Sequence, residues 1–133
     1  MNVVDSSGWL EYFAETKRAE YFAGAIEKTE SLLVPVITLY EVFKKILLER
    51  GEDNALRAIA HMQQNKVVGL DASLAITAAK LSCDHKMPMA DSIILATARQ
   101  YNAILWTQDD DFKGLHGVNF FQKNKGIDQH GTF

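Results

Sequence analysis

Short apolar runs and longer segments with helical spacing alternate along this chain of 133 residues. The short runs predict strands at residues 2–5, 31–35, 67–70, 103–107 and 118–121. Apolar residues spaced three and four apart predict helices at residues 9–29, 38–50, 53–64 and 72–85, and another helix after Pro88. Strands that alternate with helices indicate an α/β fold, with a mainly parallel central sheet of about five strands flanked by helices.

The helix after Pro88 carries an acidic residue on a face that is otherwise small or apolar. The fixed φ of proline suits a helix start, and Asp91, Leu95 and Ala98 then share one face of the helix. We therefore expect Asp91 to point inward near the start of this helix. The strand at 103–107 ends in a polar turn with three consecutive aspartates, so a second carboxylate is expected close to the first.

Four acidic residues are predicted to lie at one edge of the sheet, where the carboxyl ends of parallel strands meet and ligands commonly bind. Asp5 ends the first strand, and Glu41 is expected in the first turn of the helix after the second strand. Asp91 is expected in the first turn of the helix before the fourth strand, and Asp109 follows that strand. Asp91 joins the others only if the helix at 72–85 carries the chain back to this edge.

Each of these acids also has an ordinary structural explanation. Asp5 can cap the following helix, and Thr38 with Glu41 matches the capping-box pattern. Asp91 suits the positive end of a helix dipole, and the aspartates at 109–111 suit a solvated turn. Their convergence favours a functional interpretation, because several unpaired carboxylates raise one another's pKa and destabilise a fold unless a cation holds them. Oxygen ligands without histidine or cysteine fit Mg²⁺ or Mn²⁺, which commonly serve phosphoryl transfer.

Composition limits the other possibilities. With 47% apolar and 23% charged residues, the sequence predicts a globular domain at 1–121 and a loose polar tail at 122–133. A net charge of −3 argues against a protein that coats nucleic acid. No apolar run approaches the roughly 18 residues of a membrane span, and the first residues do not resemble a signal peptide. The lone Cys83, expected to be packed on a helix, excludes an internal disulfide and fits a cytoplasmic location.

Four sequence motifs also resemble those of the PIN-domain nucleases, and among them the VapC-type toxins of toxin–antitoxin pairs. The motifs are VVDSSGWLEYF, VITLYEV, MPMADSIILATA and ILWTQDDDF. They occur in the order that the family has and span nearly the whole chain up to Phe121. Each motif alone is a weak signal, whereas the ordered set is specific.

The resemblance implies a role for each acid. Asp5 and Asp91 would be the principal Mg²⁺ ligands, and Glu41 would act through a water on the metal ion. Asp109 would complete the site, while Asp111 would serve mainly in the structure of the turn. Two hydroxyl residues would support these acids, namely Ser6 and Thr107.

The resemblance further implies an Mg²⁺-dependent endoribonuclease that acts as the toxin of a type II toxin–antitoxin pair. Its substrate would be structured RNA such as tRNA or rRNA, it would be a homodimer, and a basic segment of a cognate antitoxin would enter the acidic pocket. Basic residues considered as contacts to RNA phosphates are Lys44, Lys45, Arg99 and Lys113, each of which can equally be a solvated side chain.

Three alternatives remain open at this stage. The first is a housekeeping RNA-processing nuclease of the same fold that has no antitoxin. The second is an Mg²⁺-binding phospho-receiver domain, in which Asp71 is the only candidate phosphate acceptor, although the paired acids and the late lysine of receivers are missing. The third is a non-catalytic binding module, which would leave the four acids unexplained. A phosphatase that needs D-x-D after the first strand is excluded by Asp5-Ser6-Ser7.

Overall fold

A computed structural model describes residues 1–123, which form five strands and six α-helices. The strands are β1 (Asn2–Val4), β2 (Leu32–Pro35), β3 (Lys66–Val68), β4 (Ile104–Thr107) and β5 (Val118–Phe120). The helices are α1 (Ser6–Ala14), α2 (Ala19–Ile26), α3 (Val36–Arg50), α4 (Glu52–Met62), α5 (Ala72–His85) and α6 (Met89–Gln100). Two 3₁₀ turns cover Thr29–Ser31 and Asp110–Phe112. Most of the tail expected at 122–133 lies outside the described residues.

The five strands form one parallel sheet in the order β3-β2-β1-β4-β5. This confirms the α/β fold with a five-stranded parallel sheet that the sequence pattern predicts. The strand order reverses between β1 and β4, which is the kind of position where α/β sheets bind ligands. The order differs from the 2-1-3-4-5 order of receiver domains. Asp71, the one candidate phosphate acceptor, caps α5 by accepting a hydrogen bond from the Leu74 amide at 2.8 Å.

Alternating side chains on the strands build the core on both faces of the sheet, as the period of two requires. Val4 and Val34 pack with Trp9 and Phe22 on one face. Their neighbours Val3 and Leu33 belong to a separate cluster, which includes residues of α6 on the other face. Among the described residues, no helix has the length and apolar character that crossing a membrane demands.

The prediction of one continuous helix at 9–29 is wrong, because these residues form two helices, α1 and α2. Glu15 ends α1 in the left-handed region at φ 54°, and its N–H donates to the carbonyls of Glu11 and Tyr12. A left-handed residue at this position is usually glycine, so the sequence carries no ordinary signal for the break. The apolar pattern resumes in α2 with Phe22 and Ile26 buried.

The capping-box interpretation of Thr38 and Glu41 is also wrong. Helix α3 begins at Val36 after Pro35, whose φ is −61° and whose side chain makes no capping hydrogen bond. Thr38 therefore lies inside the first turn and is fully buried. Glu41 lies in the second turn of α3, one turn later than expected.

Cys83 lies on α5 as predicted, but its side chain is exposed. The expectation of a packed thiol is wrong because the buried face of α5 is narrow and is made by Leu74 and Ala78.

Candidate active site

The acids of the four motifs lie at the carboxyl edge of the sheet, around the point where the strand order reverses. Asp5 follows β1, and its amide donates to the Trp106 carbonyl of β4 at 3.1 Å. Asp109 follows β4. Asp91 lies in the first turn of α6, and the hairpin of α5 and α6 brings it back to this edge.

Asp5 is a buried carboxylate held by hydrogen bonds on both oxygens. It is 3% exposed and caps α1 by accepting from the Gly8 amide at 2.9 Å. Ser7 Oγ donates to both oxygens at 2.9 and 3.0 Å, and Thr107 Oγ1 donates to Oδ2 at 2.6 Å. Burial raises the pKa of Asp5 from 3.8 to about 6 because it disfavours the charge, and the three donors partly oppose this rise.

Thr107 connects Asp5 to the acidic turn after β4. Its hydroxyl donates to Asp5 and accepts a hydrogen bond from the Asp109 amide at 2.9 Å. Asp109 in turn uses Oδ1 to accept from the Asp111 amide at 3.0 Å, which stabilises the 3₁₀ turn. The orientations of Asp5 and Asp109 therefore both depend on the Thr107 hydroxyl, which is buried at the end of β4.

Asp91, Asp109 and Asp111 form a triad of carboxylates, which we call the acidic triad. One oxygen from each lies within 4.8 Å of the others. The pKa of Asp91 rises from 3.8 to about 8, first because the side chain is partly buried, then because of a hydrogen bond with Asp111 and the charges around it. One of those charges belongs to Glu41. Asp91 in the metal-free protein therefore binds a proton more tightly than a free aspartate does.

The acidic triad includes Asp111, which the motifs do not imply as a metal ligand. Asp111 was expected to serve mainly the turn, yet its carboxylate lies beside Asp91, whereas the Asp109 side chain makes the capping contact of the turn. Asp5, which was expected to be a principal ligand, is not among these three carboxylates and accepts hydrogen bonds from Gly8 and Thr107, so its role as a ligand stays a prediction. The sequence could not predict which aspartate of the turn faces Asp91, because the three are adjacent and differ only in the direction of their side chains.

Glu41 approaches the triad from α3. Its Oε1 accepts a hydrogen bond from Ser6 Oγ at 2.5 Å, which links the second turn of α3 to the start of α1. Ser6 is the supporting hydroxyl for this acid, as Thr107 is for Asp5. Its other oxygen, Oε2, makes no hydrogen bond within the described residues.

The acidic triad fits a hard divalent cation. Carboxylate oxygens are the donors that Mg²⁺ and Mn²⁺ prefer, and the triad contains no histidine or cysteine. Ligands about 2.1 Å from Mg²⁺ lie at most about 4.2 Å apart, so the three side chains need to approach one another only slightly. A cation there would also compensate the mutual repulsion that raises the pKa of Asp91.

Three of the four basic residues considered as RNA contacts already have partners within the protein. Arg99 and Lys113 donate hydrogen bonds to other parts of the chain at 3.1 and 3.0 Å. Lys45 forms an ion pair with Glu49 at 2.9 Å. Lys44 is exposed and lies 5.8 Å from the centre of a tyrosine ring.

A buried glutamine that sequence reasoning missed anchors the acidic turn. Gln108 is 3% exposed and donates to Glu11 Oε2 on α1 at 2.6 Å. It accepts from Arg18 Nε, and Arg18 Nη2 also donates to the Phe121 carbonyl at 3.1 Å. These partners lie 90 to 103 residues apart in the chain, so no local pattern could reveal them. The network fixes the residue that precedes Asp109.

Comparison with known proteins places these residues within one family model. The PIN domain model matches residues 3–117, a range that includes every acid described above. No curated protein sequence matches the chain.

Several solved structures share the fold. A toxin–antitoxin complex from Klebsiella pneumoniae has a TM-score of 0.73 at 22% identity, covering 90% of this chain and 96% of that chain. Mycobacterium tuberculosis VapC20, a sarcin–ricin loop cleaving toxin, has a TM-score of 0.76 at 20% identity, covering 89% and 97%. DNA-bound VapBC from Salmonella typhimurium has a TM-score of 0.72 at 14% identity, covering 91% and 98%.

Proposed function

Because this chain belongs to the PIN domain family, we propose that it is a divalent-metal-dependent endoribonuclease and the toxin of a type II toxin–antitoxin pair. The observation that carries the proposal is the acidic triad, in which three carboxylates converge within 4.8 Å at the reversal of the strand order. Such a cluster destabilises the fold by itself, so its presence favours a function that needs it.

The resident cation is Mg²⁺ or Mn²⁺. Asp91, Asp109 and Asp111 would hold it, together with Asp5, which Thr107 links to Asp109. When bound, the cation would activate water and neutralise charge on the scissile phosphate. Because the pKa of Asp91 is raised, protons compete with the cation for this carboxylate.

Glu41 is the residue that we assign to the proton transfer. The hydrogen bond from Ser6 fixes Oε1, which leaves Oε2 to accept a proton from the attacking water. Asp5 keeps the acidic turn in place through Thr107, and it contributes negative charge that favours cation binding. We also propose Asp5 as a ligand of the cation, with Ser6 and Thr107 as the hydroxyl residues that support the acids.

RNA is the proposed substrate, with tRNA or rRNA as the preferred classes. The shared fold with VapC20, whose description is a sarcin–ricin loop cleaving toxin, supports a structured RNA. The toxin–antitoxin complexes among the structures of similar fold support a cognate antitoxin as partner. We further propose that the protein is a homodimer and acts in the cytoplasm, where its substrate and its antitoxin are made.

Cleavage of purified tRNA and rRNA tests the nuclease assignment. The wild-type protein should cleave RNA with Mg²⁺, stop when EDTA is added, and resume when Mg²⁺ is restored. Asp91→Asn should lose at least about a hundredfold in rate, as expected for a group that stabilises the transition state. Asp84→Asn, an exposed aspartate on α5, is the matched control and should cleave like wild type. Equal rates in Asp91→Asn and wild type would contradict the mechanism.

Growth on induced expression separates the toxin from a housekeeping nuclease. A toxin should arrest growth, and the arrest should disappear with Asp91→Asn and on co-expression of the protein encoded by the adjacent gene. Normal growth at high expression of active enzyme would instead favour the housekeeping alternative.

A further inference from the structure

A groove of about 650 Å³ lies beside the candidate active site, between α1 and the hairpin of α3 and α4. Its lining includes Ser7 and Gln108. Ser7 donates to Asp5, and Gln108 immediately precedes Asp109, so the groove adjoins the acidic residues. An RNA whose scissile phosphate lies at the acidic residues would place its neighbouring nucleotides in this groove.

The walls of the groove carry an excess of positive charge, although the chain has a net charge of −3. Its basic residues are Lys45, Arg50, Arg57 and Lys123, and its acidic residues are Glu11 and Glu49. An excess of cations on this surface of an acidic protein favours an anionic partner.

Both acids of the groove are already engaged. Glu49 pairs with Lys45 at 2.9 Å, and Glu11 accepts hydrogen bonds from Gln108 and Thr16, each at 2.6 Å. Within residues 1–123, the side chains of Arg50 and Arg57 form no hydrogen bond or ion pair. The two guanidinium groups are therefore free to bind phosphate, which their planar forks match well.

The floor of the groove is apolar. It is lined by Leu10 and Phe13 of α1 and by Ile46 and Ala58 of the α3–α4 hairpin. The ring of Phe13 stacks on Trp9 with 5.6 Å between centroids, which holds it in place. Nucleobases unstacked from a helix bind on such surfaces, with aromatic side chains and arginine below and beside them.

We propose that this groove binds single-stranded RNA adjacent to the scissile phosphate, with Arg50 and Arg57 on backbone phosphates and bases over Leu10 and Phe13. The proposal rests on the ribonuclease function proposed above. It assigns the RNA contacts to the groove rather than to Arg99 and Lys113, which are engaged within the protein.

The test is the binding of a fluorescently labelled single-stranded oligoribonucleotide, measured by anisotropy at several salt concentrations. All proteins carry Asp91→Asn so that the RNA stays intact. Arg50→Gln combined with Arg57→Gln should weaken binding about tenfold, and the slope of log K against log salt should become shallower by about 1.4 for two lost phosphate contacts. Lys28→Gln combined with Lys80→Gln removes the same charge from exposed sites outside the groove and should leave both values unchanged.

Cleavage kinetics distinguish a failure of the groove from a failure of the nuclease assignment. With position 91 restored to aspartate, the double arginine variant should raise KM for the long RNA and leave kcat unchanged, since the groove lies outside the reacting centre. RNA binding that depends on the arginines without any cleavage would overturn the nuclease and keep the groove. Unchanged RNA affinity in the double variant overturns the groove proposal, and loss of antitoxin binding in that variant would then assign the groove to the antitoxin.

Discussion

Replacing Asp91 by asparagine should stabilise the metal-free protein at neutral pH, although it removes a residue assigned to metal binding. Asp91 lies beside two other carboxylates, and partial burial together with their charges raises its pKa from 3.8 to about 8. The folded protein therefore retains a proton that the unfolded chain releases. The contribution of Asp91 to the free energy of unfolding is complete below pH 3.8 and is lost as the pH rises towards 8. Asparagine is neutral and has no such dependence.

The size of the effect follows from the pKa values. Each pKa unit corresponds to about 1.4 kcal/mol, so linkage alone gives about 4 kcal/mol at pH 7. Asp91 is only partly buried, and solvent screening reduces this value to about 2 kcal/mol. For a domain of this size the corresponding rise in Tm is about 6 °C.

Chemical denaturation in EDTA measures this difference between wild type, Asp91→Asn and the control Asp84→Asn. At pH 7 the Asp91→Asn variant should be more stable than wild type, and its advantage should shrink as the pH is lowered to 4. Added Mg²⁺ should stabilise wild type by ligand linkage and leave the variant unaffected. A metal-free Asp91→Asn protein that is no more stable than wild type at pH 7 would refute the electrostatic reasoning.

Other expectations follow from the packing around the acids and from their charge. A methyl group on Gly8 would lie 2.6 Å from the Val4 side chain, so Gly8→Ala should lower the free energy of unfolding by about 1–3 kcal/mol. Gly24 has open space around it, so Gly24→Ala should raise the free energy of unfolding by up to about 1 kcal/mol. Thr107→Val removes the 2.6 Å donor that lowers the pKa of Asp5. The pKa of Asp5 should therefore rise, and the acidic limb of the cleavage pH profile should move to higher pH. Thr97→Val should leave the profile unchanged. Chelation should lower the Tm at pH 7 more than at pH 5, since protons compete with the metal at low pH.

The parts of the fold that could be predicted depend on local patterns. The short apolar strands, the helical spacing between them and the ordered motifs predict the α/β class and the strand that each acid accompanies, although Glu41 lies one helical turn later than expected. Asp5 as a helix cap and Asp91 in a first turn are local features as well, and both are present in the structure.

The remainder depends on backbone conformations and side-chain directions that residue type does not signal. The break after Ala14 uses Glu15 in a left-handed conformation, which the residue type does not signal. Helix α3 starts early because Pro35 ends β2 within the sheet. The approach of Asp111 to Asp91 is set by the turn that Asp109 caps.

Counting bound Mn²⁺ by electron paramagnetic resonance tests whether the acidic triad is the metal site. Mn²⁺ takes the same oxygen ligands as Mg²⁺ and reports binding without any assumption about the substrate. Wild type and Asp84→Asn should each bind at least one ion, and Asp91→Asn should lose it. An Asp91→Asn protein that binds Mn²⁺ as wild type does would show that the acidic triad is not the metal site.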